Sequence, residues 1–274
     1  MSTVLVTGCS SGFGEALALA FAKQGDNVIA TMRRPEAAPV SLKDLVTEHS
    51  SAVKIAALDV NDADARHRAV DLAVRTFGRL DILVNSAGVG ASGSLEDMPT
   101  DTLNTVFATN FLGPLELMRL ALPIMRKQGA GRIINITSVA SLFSTPFMSA
   151  YSASKQALDA ASIALDIESR SFGVRVAAIV AGPFKTNLSA KSLDVPPSGQ
   201  YVAIHSHFKG VFVELEKHAA EDLSPLVKTV LVAARDADPL LRYVVGTEGI
   251  PFIPDLLKAL KPEQSFALRL TGQK

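Results

Sequence analysis

Tyr151 and Lys155 lie four residues apart in Ser149-Ala150-Tyr151-Ser152-Ala153-Ser154-Lys155-Gln156-Ala157, at the head of an alanine-rich stretch. Residues i and i+4 share one face of a helix, so a phenol and an ammonium at this spacing can point into the same space. A free phenol, with a pKa of about 10, is a poor base at neutral pH. A nearby cation lowers it by roughly one to three units and brings proton transfer within reach. The spacing alone is common on ordinary helix surfaces, so it carries chemistry only if the rest of the chain builds a site around it. A second stretch offers such a partner. Gly8-Cys9-Ser10-Ser11-Gly12-Phe13-Gly14 follows a short apolar run and leads into residues with helical spacing. In a strand, glycine turn and helix of this kind the backbone can approach a pyrophosphate, and the helix N-terminus meets its charge. Without further support the same glycines would make only a tight turn.

Two other groupings carry less. His205-Ser206-His207 invites a metal reading, but residues i and i+2 diverge on a helix and no Cys or acid stands at ligand spacing. They read as surface or substrate-loop histidines, and no metal site is expected. Cys9 is the single cysteine, so no disulfide can form within the chain and a reducing compartment is expected. Its place in the glycine loop suggests that oxidation there would hinder nucleotide binding.

The elements that must position these groups alternate. Apolar runs at 3–7, 28–31, 53–58, 81–85, 132–137 and 174–180 read as strands. Helical spacing recurs at 15–24, 41–50, 62–77, 103–127 and 150–172, with a bend expected at Gly113-Pro114 and Asp62 well placed at a helix start. The strands are continuous apolar runs, as buried parallel strands are. Strand and helix in alternation predict an α/β fold, a doubly wound parallel sheet of about seven strands with helices on both faces. The pattern breaks from about 189 to 221, around Pro196-Pro197-Ser198-Gly199, before a further helix at 223–234 and a last strand at 241–245. Residues 249–274 mix prolines with leucines and follow no clear period. A single domain over 1–274 is the simplest organisation.

Composition narrows the class. Hydrophobic residues make up 48% of the chain, enough for a large core. Lysine plus arginine balance aspartate plus glutamate at 27 each, so no charge footprint points to nucleic acid. No apolar run reaches the roughly 18 residues of a membrane span, and the first residues read as a strand and not as a signal peptide. A soluble cytoplasmic protein is expected.

Taken together, the motifs resemble those of the short-chain dehydrogenase/reductase family over nearly the whole of the first 190 residues. Thr7 to Gly14 matches its T-G-x-x-x-G-x-G, and Asn85-Ser86-Ala87-Gly88 its N-N-A-G, with serine for the second asparagine. Asn110, Ser138, Tyr151 and Lys155 fall in the family's order and spacing. Gly182, Pro183 and Thr186 match its P-G-x-x-x-T, with Ala181 in place of the first proline. The resemblance implies a Rossmann-type fold, a nicotinamide dinucleotide, and hydride transfer between an alcohol and a ketone or aldehyde. Tyr151 would then exchange the proton, Ser138 would hold the reacting oxygen, Lys155 would tune the phenol and bind the nicotinamide ribose, and Asn110 would hold a relay water.

The resemblance further implies a cofactor shell of Gly8, Ser10, Ser11, Gly12, Phe13, Gly14, Arg33, Arg34, Asp59, Val60, Asn85, Ala87, Gly88, Tyr151, Lys155, Gly182, Pro183 and Thr186. NAD users in the family place an acid where this chain has Met32, and Arg33-Arg34 follow. NADP(H) is therefore expected over NAD(H), with a guanidinium on the 2′-phosphate. Asp59 would contact adenine unless it serves as a helix cap, for which Asn61 and Asp62 are also available.

The segment between Ser138 and Tyr151 must border the reacting carbon, and Val139, Thr145, Phe147 and Met148 offer it an apolar wall. Residues 187–222, with Leu188, Leu193, Tyr201, Phe208 and Phe212, are expected to form a substrate loop or lid. Ala30-Thr31-Met32-Arg33, Ala181-Gly182-Pro183 and Leu241-Arg242-Tyr243 look most like the branch of 17β-hydroxysteroid and retinol dehydrogenases. That implies a steroid-, retinoid- or aryl-like substrate. The long helices would pair with a second subunit, giving a homodimer or homotetramer. The competing readings are an NAD-linked dehydrogenase of the same fold, a non-catalytic NADP-binding sensor, and a nucleotide-sugar epimerase, which the glycine spacing disfavours.

Overall fold

The computed structural model describes residues 1–217 and 219–247, with 253, 255 and 258; the rest of 249–274 lies outside the described residues. Seven strands form one sheet: β1 (Thr3–Val6), β2 (Asn27–Met32), β3 (Val53–Ala57), β4 (Ile82–Asn85), β5 (Gly131–Ser138), β6 (Val174–Ala181) and β7 (Arg242–Val245). Their order is β3-β2-β1-β4-β5-β6-β7, every neighbouring pair parallel. The helices are α1 (Gly12–Lys23), α2 (Val40–Glu48), α3 (Ala63–Phe77), α4 (Thr100–Phe107), α5 (Gly113–Gln128), α6 (Ser149–Ser169), α7 (Val202–Lys217) and α8 (Ser224–Arg235). This is the doubly wound sheet that the alternation predicts.

Side chains of a strand alternate between faces, and both faces here are apolar. Val4 and Val6 pack on α1, α2 and α8 through Leu17, Phe21, Leu42 and Leu226. Leu5 points the other way, into a core with Ala69, Leu117, Met118 and Leu158 of α3, α5 and α6. The chain runs from β1 outward through β2 and β3, then returns to lay β4 on the other side of β1. That reversal opens a crevice at the carboxyl ends of β1 and β4, where ligands of such sheets bind. Among the described residues, no helix is long and apolar enough to cross a membrane.

The structure departs from the predicted elements in two places. Within 189–221, where irregular chain was expected, short 3-10 turns at Ser189–Lys191 and Gly199–Tyr201 lead into the 16-residue α7. Tyr201, His205, Phe208 and Phe212 recur at helical spacing and give this segment an aromatic stripe to pack. The second departure is at the expected bend. Between α4 and α5 the chain makes a π-helical turn, Ala108–Leu112, ahead of Gly113-Pro114. Pro114 has no N–H for the carbonyl four residues back, and its ring crowds that carbonyl. Residue four back is Asn110. The helix therefore widens around Asn110, as π-turns do.

Helix α6 is anchored on the sheet by buried ion pairs. Asp166, fully buried, accepts from Arg175 Nε at 2.8 Å, from Arg170 at 2.6 Å and from the Val176 N–H of β6 at 2.8 Å. One helical stretch earlier, Asp159 accepts from Arg242 of β7 at 2.6 and 2.9 Å. These contacts fix the helix that carries Tyr151 and Lys155.

Candidate active site

The glycine loop is tied to the loop after β4. Thr7 Oγ1 accepts from the N–H groups of Ser86 and Ala87, each at 3.0 Å. A Cβ on Gly8 would stand 2.8 Å from Ala87 Cα, and one on Gly14 2.5 Å from the Gly8 carbonyl oxygen, so both approaches require glycine. Ser11 is the N-cap of α1, but its hydroxyl makes no capping bond, which leaves the first-turn N–H groups open to an anion. Phe13 turns its ring onto Phe184, at 5.4 Å between centroids, and offers the loop only its main chain. Thr186 reaches Gly12 from the segment after β6, its methyl 3.6 Å from where a Cβ would be. Gly182 packs so closely on Gly246 that no side chain would fit, while Pro183 accepts from the Ala220 N–H at 3.1 Å.

At the end of β2, Arg33 and Arg34 are exposed, and among the described residues neither pairs with an acid. Asp59, half-buried after β3, accepts from the Asn61 N–H at 2.9 Å; the helix cap is Asp62, which accepts from Ala65 at 2.9 Å. The cap role that competed for Asp59 is thus filled. Val60 lies with its side chain in the core and can offer only its backbone. Asn85 is buried and donates to Asn135 Oδ1 at 2.8 Å, while its own Oδ1 finds no partner among the described residues.

Ser138, at the end of β5, opens a 3-10 turn, Val139–Ser141, and accepts from the Ala140 N–H at 3.2 Å. Tyr151 is 7% exposed, and its phenol lies beside the Ser138 hydroxyl. One turn on, the buried Lys155 places its ammonium over the Tyr151 ring, 6.0 Å from the centroid, and donates to the Ile136 carbonyl at 2.9 Å. That uses one of its three donors. Asn110, fully buried, accepts from Val89 N–H at 2.9 Å and donates to the Val89 carbonyl at 2.9 Å and to Ser154 Oγ at 3.1 Å. A Cβ on Gly88 would stand 3.4 Å from Asn110 Oδ1 and 3.6 Å from Lys155 Nζ, so Gly88 lies between the two. Tyr151, Lys155, Ser138 and Asn110 thus converge at the carboxyl edge of β4 and β5.

The electrostatics differ from the sequence expectation. Burial pushes the Tyr151 phenol above its ordinary value, and the neighbouring Ser138 hydroxyl offsets only part of this. Desolvation, and not the expected lowering by Lys155, sets the direction in the free protein. Lys155 itself is pushed down to about 8 by burial. Unfolded, it would hold its proton up to about 10.4. Between these values the unfolded chain binds the extra proton, so stability contributed by this site rises with pH across that window. Urea unfolding of wild type against Lys155→Met should show this as a steeper rise in the wild type between about pH 8 and 10; parallel profiles would contradict it. Cys9 is fully buried, donates to the Val6 carbonyl at 3.3 Å and is raised to about 12. The thiolate is the reactive form, so the expected oxidation sensitivity of this loop is not supported.

Val139, Thr145, Phe147 and Met148 are half-buried between Ser138 and Tyr151. Phe147 is the non-glycine residue with positive φ, +60°, among the described residues. Its carbonyl accepts from Gly93 N–H at 2.8 Å, and its ring meets His205 at 4.9 Å, Phe208 at 5.4 Å and Tyr201 at 6.5 Å. Of the expected wall, Phe147 is the member these contacts join to α7. His207 is exposed, so the two histidines do not act together. Among the described residues no cluster of three or more His, Cys, Asp or Glu could hold a metal. Lys191, which nothing in the sequence singled out, donates to Ser11 Oγ at 3.0 Å and to Ser10 Oγ at 3.5 Å.

A family profile described as short chain dehydrogenase matches residues 2–195. The chain is 35% identical to the uncharacterized oxidoreductase YusZ of Bacillus subtilis, covering 88% of each protein. It is 31% identical to 17-beta-hydroxysteroid dehydrogenase type 1 of Homo sapiens, over 92% of this chain and 80% of that one. Its fold matches a crystal structure of a short-chain dehydrogenase from Streptomyces avermitilis with a TM-score of 0.83 and 31% identity, over 98% and 97% of the two chains.

Proposed function

Since this chain belongs to the short-chain dehydrogenase family and is an oxidoreductase acting on CH–OH donors, we propose that it interconverts a hydrophobic alcohol and its ketone or aldehyde with NADP(H). The observation that carries this is the buried Tyr151 phenol, beside Ser138 and one helical turn from the buried Lys155, whose ammonium lies over its ring. The residues fit a dinucleotide: the uncapped start of α1 and the glycine loop would take its pyrophosphate, and the two unused donors of Lys155 its nicotinamide ribose. Gly182, Pro183 and Thr186 would flank the same moiety. Arg33 and Arg34, which pair with no acid among the described residues, would take the 2′-phosphate, with a hydroxyl of Ser10 or Ser11 added to it.

When bound, the nicotinamide supplies or accepts the hydride. The chain does the rest. Ser138 donates to the substrate oxygen and fixes it beside Tyr151. The phenol, held protonated by burial, gives its proton to that oxygen during reduction and recovers it during oxidation. Lys155 stabilises the phenolate that results. Asn110, held by Val89 and Ser154, orients the relay between Lys155 and solvent. Non-catalytic nucleotide sensing would not need the phenol, Ser138 and Lys155 brought together. The aromatic face of Phe147, Tyr201, His205 and Phe208 favours a ring-bearing substrate, with 187–222 as its lid, and the relative that acts on a hydroxysteroid agrees with that class. The long helices α5 and α6 would form the contact with a second subunit.

The cofactor choice has its own test. Arg33→Ala/Arg34→Ala should weaken NADPH binding by about 10- to 100-fold, since charge-assisted bonds to phosphate are lost, and leave NADH nearly unchanged. Fluorescence titration measures both. Tighter binding of NADH than of NADPH by the wild type would make the NAD-linked reading the right one.

A further inference from the structure

Phe147 puts a bulky side chain where the backbone calls for glycine. Met148 N–H donates to the Thr145 carbonyl at 3.1 Å, which closes the four-residue turn Thr145-Pro146-Phe147-Met148. Proline holds φ at about −65° at the second residue, and Phe147, the third, has φ +60°. Those angles belong to a type II turn, whose third residue is usually Gly or Asn. A phenylalanine there is strained, because its Cβ crowds the following carbonyl. Such strain persists only where surrounding contacts hold it, and it gathers at functional sites. Two contacts hold it here. The Phe147 carbonyl accepts from Gly93 N–H at 2.8 Å, and its ring lies against His205, Phe208 and Tyr201 at 4.9, 5.4 and 6.5 Å between centroids.

Helix α7 is the other half of this contact. None of its described side chains is buried, and among the described residues it adds nothing to the hydrophobic cores. A helix draws most of its stability from the packing of one face, and on α7 that face is the row of rings. Phe147 covers this row from outside. The place of the helix does not rest on Phe147 alone. Just ahead of α7, Tyr201 donates to Glu96 at 2.8 Å and Ser198 N–H to Asp97 at 2.9 Å, which fastens the entering chain to the loop after β4.

We propose that Phe147 is a specificity-determining residue that holds the place of the substrate's ring. In the free protein its own ring occupies the aromatic face of α7. A ring-bearing substrate takes that face, and Phe147 swings out as its turn relaxes to the negative φ that phenylalanine prefers. The strain held in the turn favours the exchange, so part of the cost of displacing one ring by another is met in advance. An open-chain substrate gains no stacking in return and leaves Phe147 where it is. The turn runs straight into α6, whose third residue is Tyr151, so the exchange occurs at the edge of the catalytic site. The assignment rests on the proposed reading of a ring-bearing substrate.

The chain has no tryptophan, so Phe147→Trp supplies a single reporter. With NADP+ bound, saturation with a decalone should shift its emission to the red and increase its quenching by acrylamide, as the indole leaves the rings of α7 for water. An open-chain ketone of equal carbon count should do neither. An unchanged or blue-shifted spectrum with the decalone overturns the proposal, because the ring then stays and the substrate covers it. Steady-state reduction with NADPH gives the second readout. Phe147→Gly suits the turn and removes the competing ring, so it should raise the ratio of kcat/KM for the decalone over the open-chain ketone by about five- to tenfold. A ratio that is unchanged or falls overturns the proposal, and Phe147 is then a fixed wall or a strut for α7. If neither protein reduces the decalone while both reduce the open-chain ketone, the ring-bearing substrate class itself falls, an outcome distinct from the others.

Discussion

Tyr151→Phe is expected to lower kcat for carbonyl reduction by about three orders of magnitude while leaving NADPH affinity within about twofold. The substitution removes one hydroxyl and keeps the ring against Lys155. In the proposed mechanism that hydroxyl is the proton source for the substrate oxygen, so its loss acts on the chemical step and not on cofactor binding. The fold should tolerate the change, because the ring and its packing are kept and the hydroxyl's neighbour is the Ser138 hydroxyl. A panel of ring-bearing ketones and aldehydes with NADPH, run on both proteins, measures the rate. Fluorescence titration measures the binding. Turnover in the variant near that of wild type would refute the assignment of Tyr151.

The second large effect is on stability. Asp166→Ala should reduce the free energy of unfolding by about 3–5 kcal/mol, the range for breaking a buried ion pair from one side. The carboxylate is fully buried and serves Arg175, Arg170 and the Val176 N–H together. Its removal takes the carboxylate from Arg170 and the Val176 N–H and leaves Arg175 only the exposed Asp238 and the Pro239 carbonyl, which costs more than the pair itself contributes. Urea denaturation with an unchanged m-value would report it. A loss below about 1 kcal/mol would mean that water reaches the arginines once the carboxylate is gone. Because α6 carries Tyr151 and Lys155, partial loosening should also appear as a lower kcat at temperatures well under the new midpoint.

The strands were legible because they are buried on both faces and read as unbroken apolar runs; Val4, Leu5 and Val6 supply two cores from three consecutive residues. The glycine loop was legible because Gly8 and Gly14 have no room for a side chain, a demand that spacing records directly. What escaped depends on distance and burial. The aromatic stripe that runs from Tyr201 into α7 was present at 201, 205, 208 and 212, but Pro196-Pro197 and Gly199 just before it read as the start of irregular chain. The spacing of Tyr151 and Lys155 gave their proximity and not their desolvation, which reverses the direction of the phenol's shift. Lys191 is one of many lysines in the sequence, and only the folded chain brings it across 180 residues to Ser11.

The π-turn around Asn110 makes helix length itself part of the site. An α-helix advances about 100° per residue, so one added residue puts everything after it out of phase with what came before. Here that offset lets a single continuous rod serve two walls. Val106, before the turn, faces Ala91 and Ala150, while Leu117 and Met118, after it, face the sheet. A register with one residue fewer would align either wall but not both, and would swing Asn110 away from Val89 and Ser154 without altering a single functional group. Substitution and deletion are therefore unequal events in this stretch: the chemistry tolerates changes of identity more readily than changes of count, and Pro114 is the residue that keeps the count.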